Sequence, residues 1–297
     1  MKVAAVVVTF NRRDMLEKTL AGLENLTRPV DKLFIIDNAS TDETPQFLTH
    51  RTYTTEHRVI RTNVNTGGAG GFTLGIEEAY KEGYDAFWLM DDDTVPQPES
   101  LAELLKGMES YKEDRGAYPS FACSSVLWTD GNLCEMNTPA PVWDWARSLA
   151  AGHTWVDVKS CSFVSCLVTR EAVAAKGLPY REYFIWYDDA EYTTRLSKLR
   201  SGIYVPSSKV DHLLAQNRGV NYGDVNEQNI WKFEYGVRNQ VSAAWSLRNP
   251  TLLAEMGENM LKQMWGKKIP ASLKLRLAKA AVKGVFFHPR KRDVEEL

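Results

Sequence analysis

Apolar positions along the first 92 residues keep two rhythms. KVAAVVVTF (2–10) and KLFIID (32–37) are unbroken apolar runs rich in β-branched residues. Runs of that length without polar alternation read as strands buried on both faces, as in a parallel sheet. Between them Met15, Leu16, Leu20, Leu23 and Leu26 recur at helical spacing over 13–26. TDETPQFL (41–48) opens a second helix behind a capping Thr or Asp. HRVIRT (57–62) reads as a short third strand. A glycine-rich turn then leads into a helix around 70–82, and DAFWLMDD (85–92) is a fourth strand. This β-α-β-α-β-α-β order predicts a doubly wound α/β sheet, whose strands collect ligands at their carboxyl ends.

Beyond residue 97 the rhythm loosens. The spacing predicts a helix at 98–112, strands at 120–127 and 160–169, a helix from Asp188 to Leu199, and two short strands within GIYVPSSKVDH (202–212). From about 226 the chain reads as mostly helical. A soft boundary near 225 separates a catalytic region, 1–225, from a helical region, 226–297.

Composition narrows the classes. With 297 residues, 44% of them hydrophobic, the chain has enough apolar material for a substantial core. Charged residues make up 25% and the net charge is −2, which points to neither nucleic acid nor disorder. Cys123, Cys134, Cys161 and Cys166 lack zinc-type spacing and read as buried free thiols of a reducing compartment. The first apolar run is too short for a signal peptide and ends in Arg12 and Arg13. No segment approaches the roughly 20 apolar residues of a membrane span.

The predicted strand ends are all polar. They are Thr9-Phe10-Asn11-Arg12, Asp37-Asn38-Ala39-Ser40, NVNTGGAGGF with Asn65 and Gly70, and Asp91-Asp92-Asp93. An Asp after the second strand suits a base imide or a ribose hydroxyl, and glycines let backbone approach a diphosphate. The glycines do not follow G-x-G-x-x-G, which disfavours a nicotinamide cofactor. One Asp before QPESLAELL would be an ordinary helix cap. Three adjacent carboxylates after a buried strand repel one another and favour a divalent cation, Mg²⁺ or Mn²⁺, shared with substrate phosphates. A rival reading takes D-x-D-x-T-V as a phosphatase motif of the haloacid dehalogenase type, with Asp91 as nucleophile and Asp93 as acid/base. It leaves residues 1–85 without a role.

FIWYDDAEYTTRL (184–196) sets Asp188, Asp189 and Glu191 beside Trp186 and Tyr187. On a helix, Asp188 and Glu191 share a face and Asp189 projects about 100° away. An acidic first turn meeting the helix dipole is the plain reading. The functional one is a general base flanked by aromatics that pack on sugar rings. His212, in SKVDHLL, is either a structural residue or a third metal ligand.

Together VVVTFNR, FIIDNASTDET, NTGGAGGF, FWLMDDDTVP, WYDDAE, VDH and FEYGVRN, in this order, resemble the family-2 glycosyltransferases of the GT-A fold, and more narrowly the bacterial galactofuranosyltransferases. The resemblance covers about residues 1–240. It implies a Rossmann-like mixed sheet and an inverting transfer from a nucleotide sugar, UDP-galactofuranose, with dTDP-rhamnose as the neighbouring option. By position it implies metal ligands Asp91, Asp93 and His212. It places Asp92 against the ribose or donor sugar, and Thr9, Asn11, Asp37 and Asn65 around the uridine, with Arg13 and Gly70 as further donor contacts. It makes Asp189 the general base, Asp188 and Glu191 its support, and Trp186 and Tyr187 the acceptor border. The group often reads W-D-D; Tyr187 intervenes here, so the choice of base between Asp188 and Asp189 stays open. A degenerate transferase that only binds glycan is the nonenzymatic alternative, and the intact acid clusters argue against it.

Residues 262–292 hold ten Lys or Arg and no acid, interleaved with apolar residues. The plain reading is a solvated basic face. The sharper one is a basic amphipathic segment on an anionic membrane. That fits a peripheral protein on the inner face of the cell membrane. The resemblance adds a glycan acceptor, often linked to polyprenyl diphosphate.

Overall fold

A computed structural model describes residues 1–294. The elements in chain order are β1 (Val3–Thr9), α1 (Arg13–Glu24), β2 (Lys32–Asp37), α2 (Thr44–His50), β3 (His57–Arg61), α3 (Gly67–Lys81), β4 (Ala86–Asp91), β5 (Thr94–Pro96), α4 (Ser100–Arg115) and β6 (Phe121–Leu127). There follow β7 (Ala140–Pro141), α5 (Ala146–Ala150), β8 (Val156–Ser160), β9 (Cys166–Thr169), α6 (Arg170–Lys176), α7 (Asp188–Ser197), β10 (Gly202–His212), α8 (Ile230–Ser246), α9 (Thr251–Met264) and α10 (Ala271–Phe286).

The strands form one mixed sheet in the order β3-β2-β1-β4-β9-β6-β10-β8-β7, with β5 paired to β10. The first four are parallel, and β9 then runs antiparallel to both β4 and β6. The open α/β sheet of the sequence reading is present. All seven residues of β1 are buried because alternate side chains enter opposite layers. Val3, Ala5 and Val7 pack with Leu16, Leu20 and Leu104 on one side, and Ala4, Val6 and Val8 pack with Phe72, Ile76 and Leu196 on the other. Burying each Val contributes about 1.5–3 kcal/mol. Register aligns Val8 with Asp91 and Thr9 with Asp37, so three polar strand ends open at one edge.

Three elements differ from the sequence reading. The glycine-rich stretch is the first turns of α3 itself, starting at Gly67. A Cβ on Gly71 would lie 2.5 Å from Val8 Cγ1, and one on Gly75 2.2 Å from Val6 Cγ1. These glycines let the helix lie directly on β1. The segment 160–169 is not one strand. Residues 161–165 leave the sheet between β8 and β9, through Ser165 at φ 61°. Residues 202–212 are one strand rather than two, with a register shift between Val205 and Lys209 beside β6 that absorbs Pro206.

The C-terminal region is helical. Helices α8, α9 and α10 share their own apolar cluster around Phe233, Val237, Met256, Leu273 and Leu277.

Candidate active site

The strand ends, the 181–187 loop, α7 and the helical C-terminal region enclose a cavity of about 960 Å³. The strand side supplies Thr9, Arg12, Asn38, Asn65, Asp91, Asp92, Asp93 and His212. The opposite side supplies Trp186, Tyr187, Asp188 and Asp189. Two acid clusters about 95 residues apart in sequence therefore face one space.

Asp92 is fixed by Thr9 Oγ1, which donates to its Oδ2 at 2.7 Å, and by the Phe10 amide at 3.3 Å. Burial pushes its carboxyl up to about 6, against the pull of Arg12. Burial, and then the charges of Asp93 and Asp92, hold Asp91 well above the usual carboxylate range. For Asp93 burial also opposes ionisation, yet His212 and then Arg12 beside it keep its carboxyl below the ordinary value.

His212 is buried on β10, and its Nδ1 lies 2.8 Å from Asn137 Oδ1. Asn137 Nδ2 donates to Ser162, which fixes the amide's orientation and makes Nδ1 the ring nitrogen that donates to Asn137 Oδ1. Nε2 lies 3.2 Å from Asp93 Oδ1, and that oxygen, buried, has no hydrogen-bond partner. A buried carboxylate oxygen without a partner beside an imidazole nitrogen suits a shared cation. An imidazole nitrogen plus carboxylate oxygen fits Mn²⁺ or Mg²⁺, and the Asn137 bond is the usual support behind a ligating His. Among the described residues no set of three or more His, Cys, Asp or Glu encloses an ion alone. Further ligands would have to come from substrate and water.

On the opposite wall, Phe184, Trp186 and Tyr187 all hold positive φ, at 67°, 64° and 69°. Asn239 on α8 secures this loop: its Nδ2 lies 2.8–3.1 Å from the carbonyls of Tyr183, Ile185 and Trp186. Gly67 sits so close to the loop that a Cβ there would meet the Phe184 carbonyl oxygen at 2.0 Å. Both Asp188 and Asp189 face the cavity at the start of α7. Burial, followed by Asp189, raises Asp188 to about 8. Burial also raises Asp189 to about 6, moderated by backbone amides that include Ala190 N at 2.6 Å. Of the two, Asp189 is the less strongly raised, held down by the backbone amides it accepts from.

Five expected site residues lie outside the cavity wall. Glu191 is fully buried and pairs with Arg195, Oε1 to Nε at 3.1 Å, while Ser246 donates to it. Arg195 and Ser246 draw it away from the cavity, although the spacing places it near the Asp188 face. Arg13 turns to Asp14 and Glu17 and stacks on Phe47. Gly70 packs on Thr66, where a Cβ would approach to 2.5 Å. Asp37 is spent on Arg61 at 3.0 Å and the Ser40 amide. Asn11, at φ 54°, accepts from the Thr41 and Asp42 amides. The last two shape the wall's backing.

The residue reading missed Arg12, which makes ion pairs with Asp93 and, at 3.5 Å, with Asp92. The adjacent pair Arg12-Arg13 was the available signal; Arg12 lines the cavity and Arg13 does not. It also missed Asn38, whose side chain ties Thr66 to Gly67. Gln240, Asn259 and Gln263 of the helical region reach the cavity too, and no motif marks the last two.

Comparison with known proteins accords with this geometry. The family described as Glycosyl transferase family 2 matches residues 4–132. Galactofuranosyltransferase GlfT1 of Mycobacterium tuberculosis strain H37Rv is 31% identical over 216 residues, which cover 68% of this chain and 66% of that protein, just under two thirds of its length. N-acetylglucosaminyl-diphospho-decaprenol L-rhamnosyltransferase of the same strain is 27% identical over 238 residues, covering 72% of this chain and 76% of the relative. Among solved structures, S. aureus TarS 1–349 superposes over 96% of this chain and 80% of its own with a TM-score of 0.66 at 12% identity, a likeness of fold. The chain belongs to glycosyl transferase family 2, has its GT-A-type α/β fold, and is related to the bacterial galactofuranosyltransferases.

Proposed function

We propose that the protein is an inverting, metal-dependent glycosyltransferase that moves galactofuranose from UDP-galactofuranose to a bacterial surface glycan. The observation that carries this reading is the pair of acid clusters on opposite walls of one cavity, one backed by His212 and the other holding Asp188 and Asp189. Relatives named as galactofuranosyltransferases support the choice of sugar.

Inversion is a single displacement. The acceptor hydroxyl oxygen attacks the anomeric carbon as the bond to the diphosphate oxygen breaks. The hydroxyl proton passes to Asp189, within hydrogen-bond reach in the productive complex, and UDP departs with the bonding pair. Asp188, kept neutral by burial, donates to an acceptor or donor hydroxyl. Trp186 and Tyr187 offer apolar faces to a sugar ring. Asn65, Thr9 and Asp92 line the donor end. Asp93 and His212, with Asp91, would hold Mn²⁺ or Mg²⁺, which when bound offsets charge growing on the diphosphate. A displacement of this kind needs no covalent enzyme intermediate, and membership of a transferase family removes the ground for a phosphatase nucleophile at Asp91.

The acceptor we propose is a glycan carried on polyprenyl diphosphate, met at the inner face of the cell membrane. Support comes from α10, which is apolar on two opposite faces. Leu273, Leu277, Ala280 and Gly284 face α8 and are buried. Leu275, Val282 and Phe286 are 56%, 60% and 78% exposed, and at 100° per residue they fall within about 40° of arc on the other side. Lys279 and Lys283 flank that stripe, and Trp265 is exposed between α9 and α10. An outer apolar stripe edged by lysines suits an anionic bilayer surface. Among the described residues no helix is long and apolar enough to cross a membrane. Replacing Leu275, Val282 and Phe286 with Ser should abolish sedimentation with phosphatidylglycerol vesicles and leave transfer to a water-soluble acceptor intact.

Calorimetric titration with UDP, UDP-galactofuranose and dTDP-rhamnose, each with Mn²⁺ and with chelator, tests the donor. Metal-dependent binding of the uridine ligands with weak thymidine binding is the expected result. Preference for dTDP-rhamnose would favour the rhamnosyl reading, which the 27% identical relative keeps in view. No nucleotide binding would remove the proposal.

A further inference from the structure

Arg12 sits where the electrostatics of the donor end are decided. Its guanidinium Nη1 contacts Asp93 Oδ2 and lies 3.5 Å from Asp92 Oδ1. It is the one Arg or Lys in ion-pair contact with the three strand-end carboxyl groups among the described residues. The partners contrast in burial: the Asp92 and Asp93 side chains are 7% and 6% exposed, and the Arg12 side chain is 51% exposed. The carboxylates are fixed and the cation has a path to solvent.

The backbone of Arg12 is anchored independently of its side chain. Its carbonyl accepts from the Met15 and Leu16 amides at 3.1 and 3.0 Å and starts α1. The preceding Asn11 pins the turn through Ser40, Thr41 and Asp42. A change of Arg12 rotamer therefore disturbs no secondary structure. Asp93 Oδ2 holds the guanidinium while Oδ1, facing His212, is unsatisfied. The carboxylate is half occupied by a cation that belongs to the chain.

We infer that Arg12 is a resident counter-ion of the donor end: its guanidinium holds Asp93 and Asp92, releases Asp93 when a divalent cation enters, and turns to the diphosphate oxygens of the bound nucleotide. This deepens the donor reading above and rests on it. The exchange keeps buried carboxylates neutralised in both states, since leaving such charges unpaired is strongly unfavourable. A planar guanidinium with five donors serves carboxylate and phosphate alike, which a lysine ammonium does less well. The role also makes metal and nucleotide binding mutually supportive. The metal frees the guanidinium that the diphosphate needs, and the diphosphate keeps it from returning to Asp93.

The test uses the full chain, with Mn²⁺ and UDP as probes. Free Mn²⁺ is counted by electron paramagnetic resonance in wild type, Arg12→Gln, Arg12→Lys and Asp93→Asn, first without nucleotide. Arg12→Gln should bind Mn²⁺ about tenfold more tightly than wild type, because its internal competitor is gone. With Mn²⁺ saturating, the same variant should bind UDP about tenfold more weakly, having lost a charge-assisted contact. Arg12→Lys should fall between on both measures. Displacement itself is read by modifying wild type with an arginine-selective dicarbonyl and mapping the peptides. Mn²⁺ should raise the reactivity of Arg12 and UDP should then lower it. Arg61, half-exposed and paired with Asp37 away from the cavity, serves as the unchanged control. Unaltered or weaker Mn²⁺ binding in Arg12→Gln, or Arg12 reactivity indifferent to Mn²⁺, overturns the inference. If Asp93→Asn still abolishes Mn²⁺ binding in that case, the donor site stands and only the counter-ion role falls. If wild type binds no Mn²⁺ at all, both fall together.

Discussion

At the end of β4, Asp92 and Asp93 face Arg12 and His212. At the start of α7, Asp188 and Asp189 make no ion pair among the described residues, and the third acid there, Glu191, is bound to Arg195 behind them. The two clusters look alike in sequence, three acids within four residues. Their surroundings give them different work. Neighbouring positive charge keeps Asp93 ionised, so that it can share a cation. Burial without compensation lifts Asp188 and Asp189 toward neutrality and makes proton exchange near neutral pH accessible. Counting acids locates both clusters; only the distribution of cations around them separates their tasks.

The sharpest way to break the comparison is at Asp189. Asp189→Asn should lower kcat by about 10³-fold, the scale of a lost general base, while calorimetric UDP affinity in Mn²⁺ stays within a factor of two to three of wild type, roughly. A large loss of UDP affinity would move Asp189 to the donor end. Next comes Glu191, buried against Arg195 outside the cavity wall. Glu191→Gln leaves Arg195 buried and unpaired and should cost about 3–5 kcal/mol of stability by denaturant melts. A variant of wild-type stability that has lost turnover would return Glu191 to the chemistry. At the other cluster, Asp93→Asn should weaken metal-dependent UDP binding about 10–100-fold with little change in chelator.

The smallest effect is the pH response. A base raised to about 6 must be ionised to act, so kcat/KM should rise with pH through about 6 and then level. Asp188 has a folded pKa of about 8, above its unfolded value, so the folded state binds the extra proton between them. Its stabilising contribution is complete below about pH 4 and is lost as pH rises through about 8. Between pH 7 and 9 the wild type should lose about 1 kcal/mol that Asp188→Asn retains. Parallel melting profiles for the two proteins would show that Asp188 is not held neutral.

Strands β1, β2 and β4 were legible because a strand buried on both faces leaves an unmistakable run. The polar strand ends followed from topology. Illegible were features set by tertiary approach. Gly71 and Gly75 are glycine because α3 lies on β1. Residues 161–165 leave the sheet although 160–169 is apolar enough to be a strand. Arg12 and Arg13 are adjacent and equally basic, and only the start of α1 decides which one faces inward. Asn259 and Gln263 reach the cavity from a helix whose sequence carries no chemical mark.

The bond from Asn239 to three loop carbonyls has a consequence for change of specificity. The loop wall of the cavity, where we propose the acceptor binds, is held in its unusual backbone shape by one amide on a different element, and Gly236 on the same helix leaves room for Trp186, where a Cβ would come within 2.9 Å of its ring. Loop 181–187 and the middle of α8 thus form one transplantable cassette. A chimera that imports a foreign loop without residues 236–239 from the same donor should inherit neither parent's acceptor preference, and directed evolution on the loop alone should stall until it reaches those two helical positions.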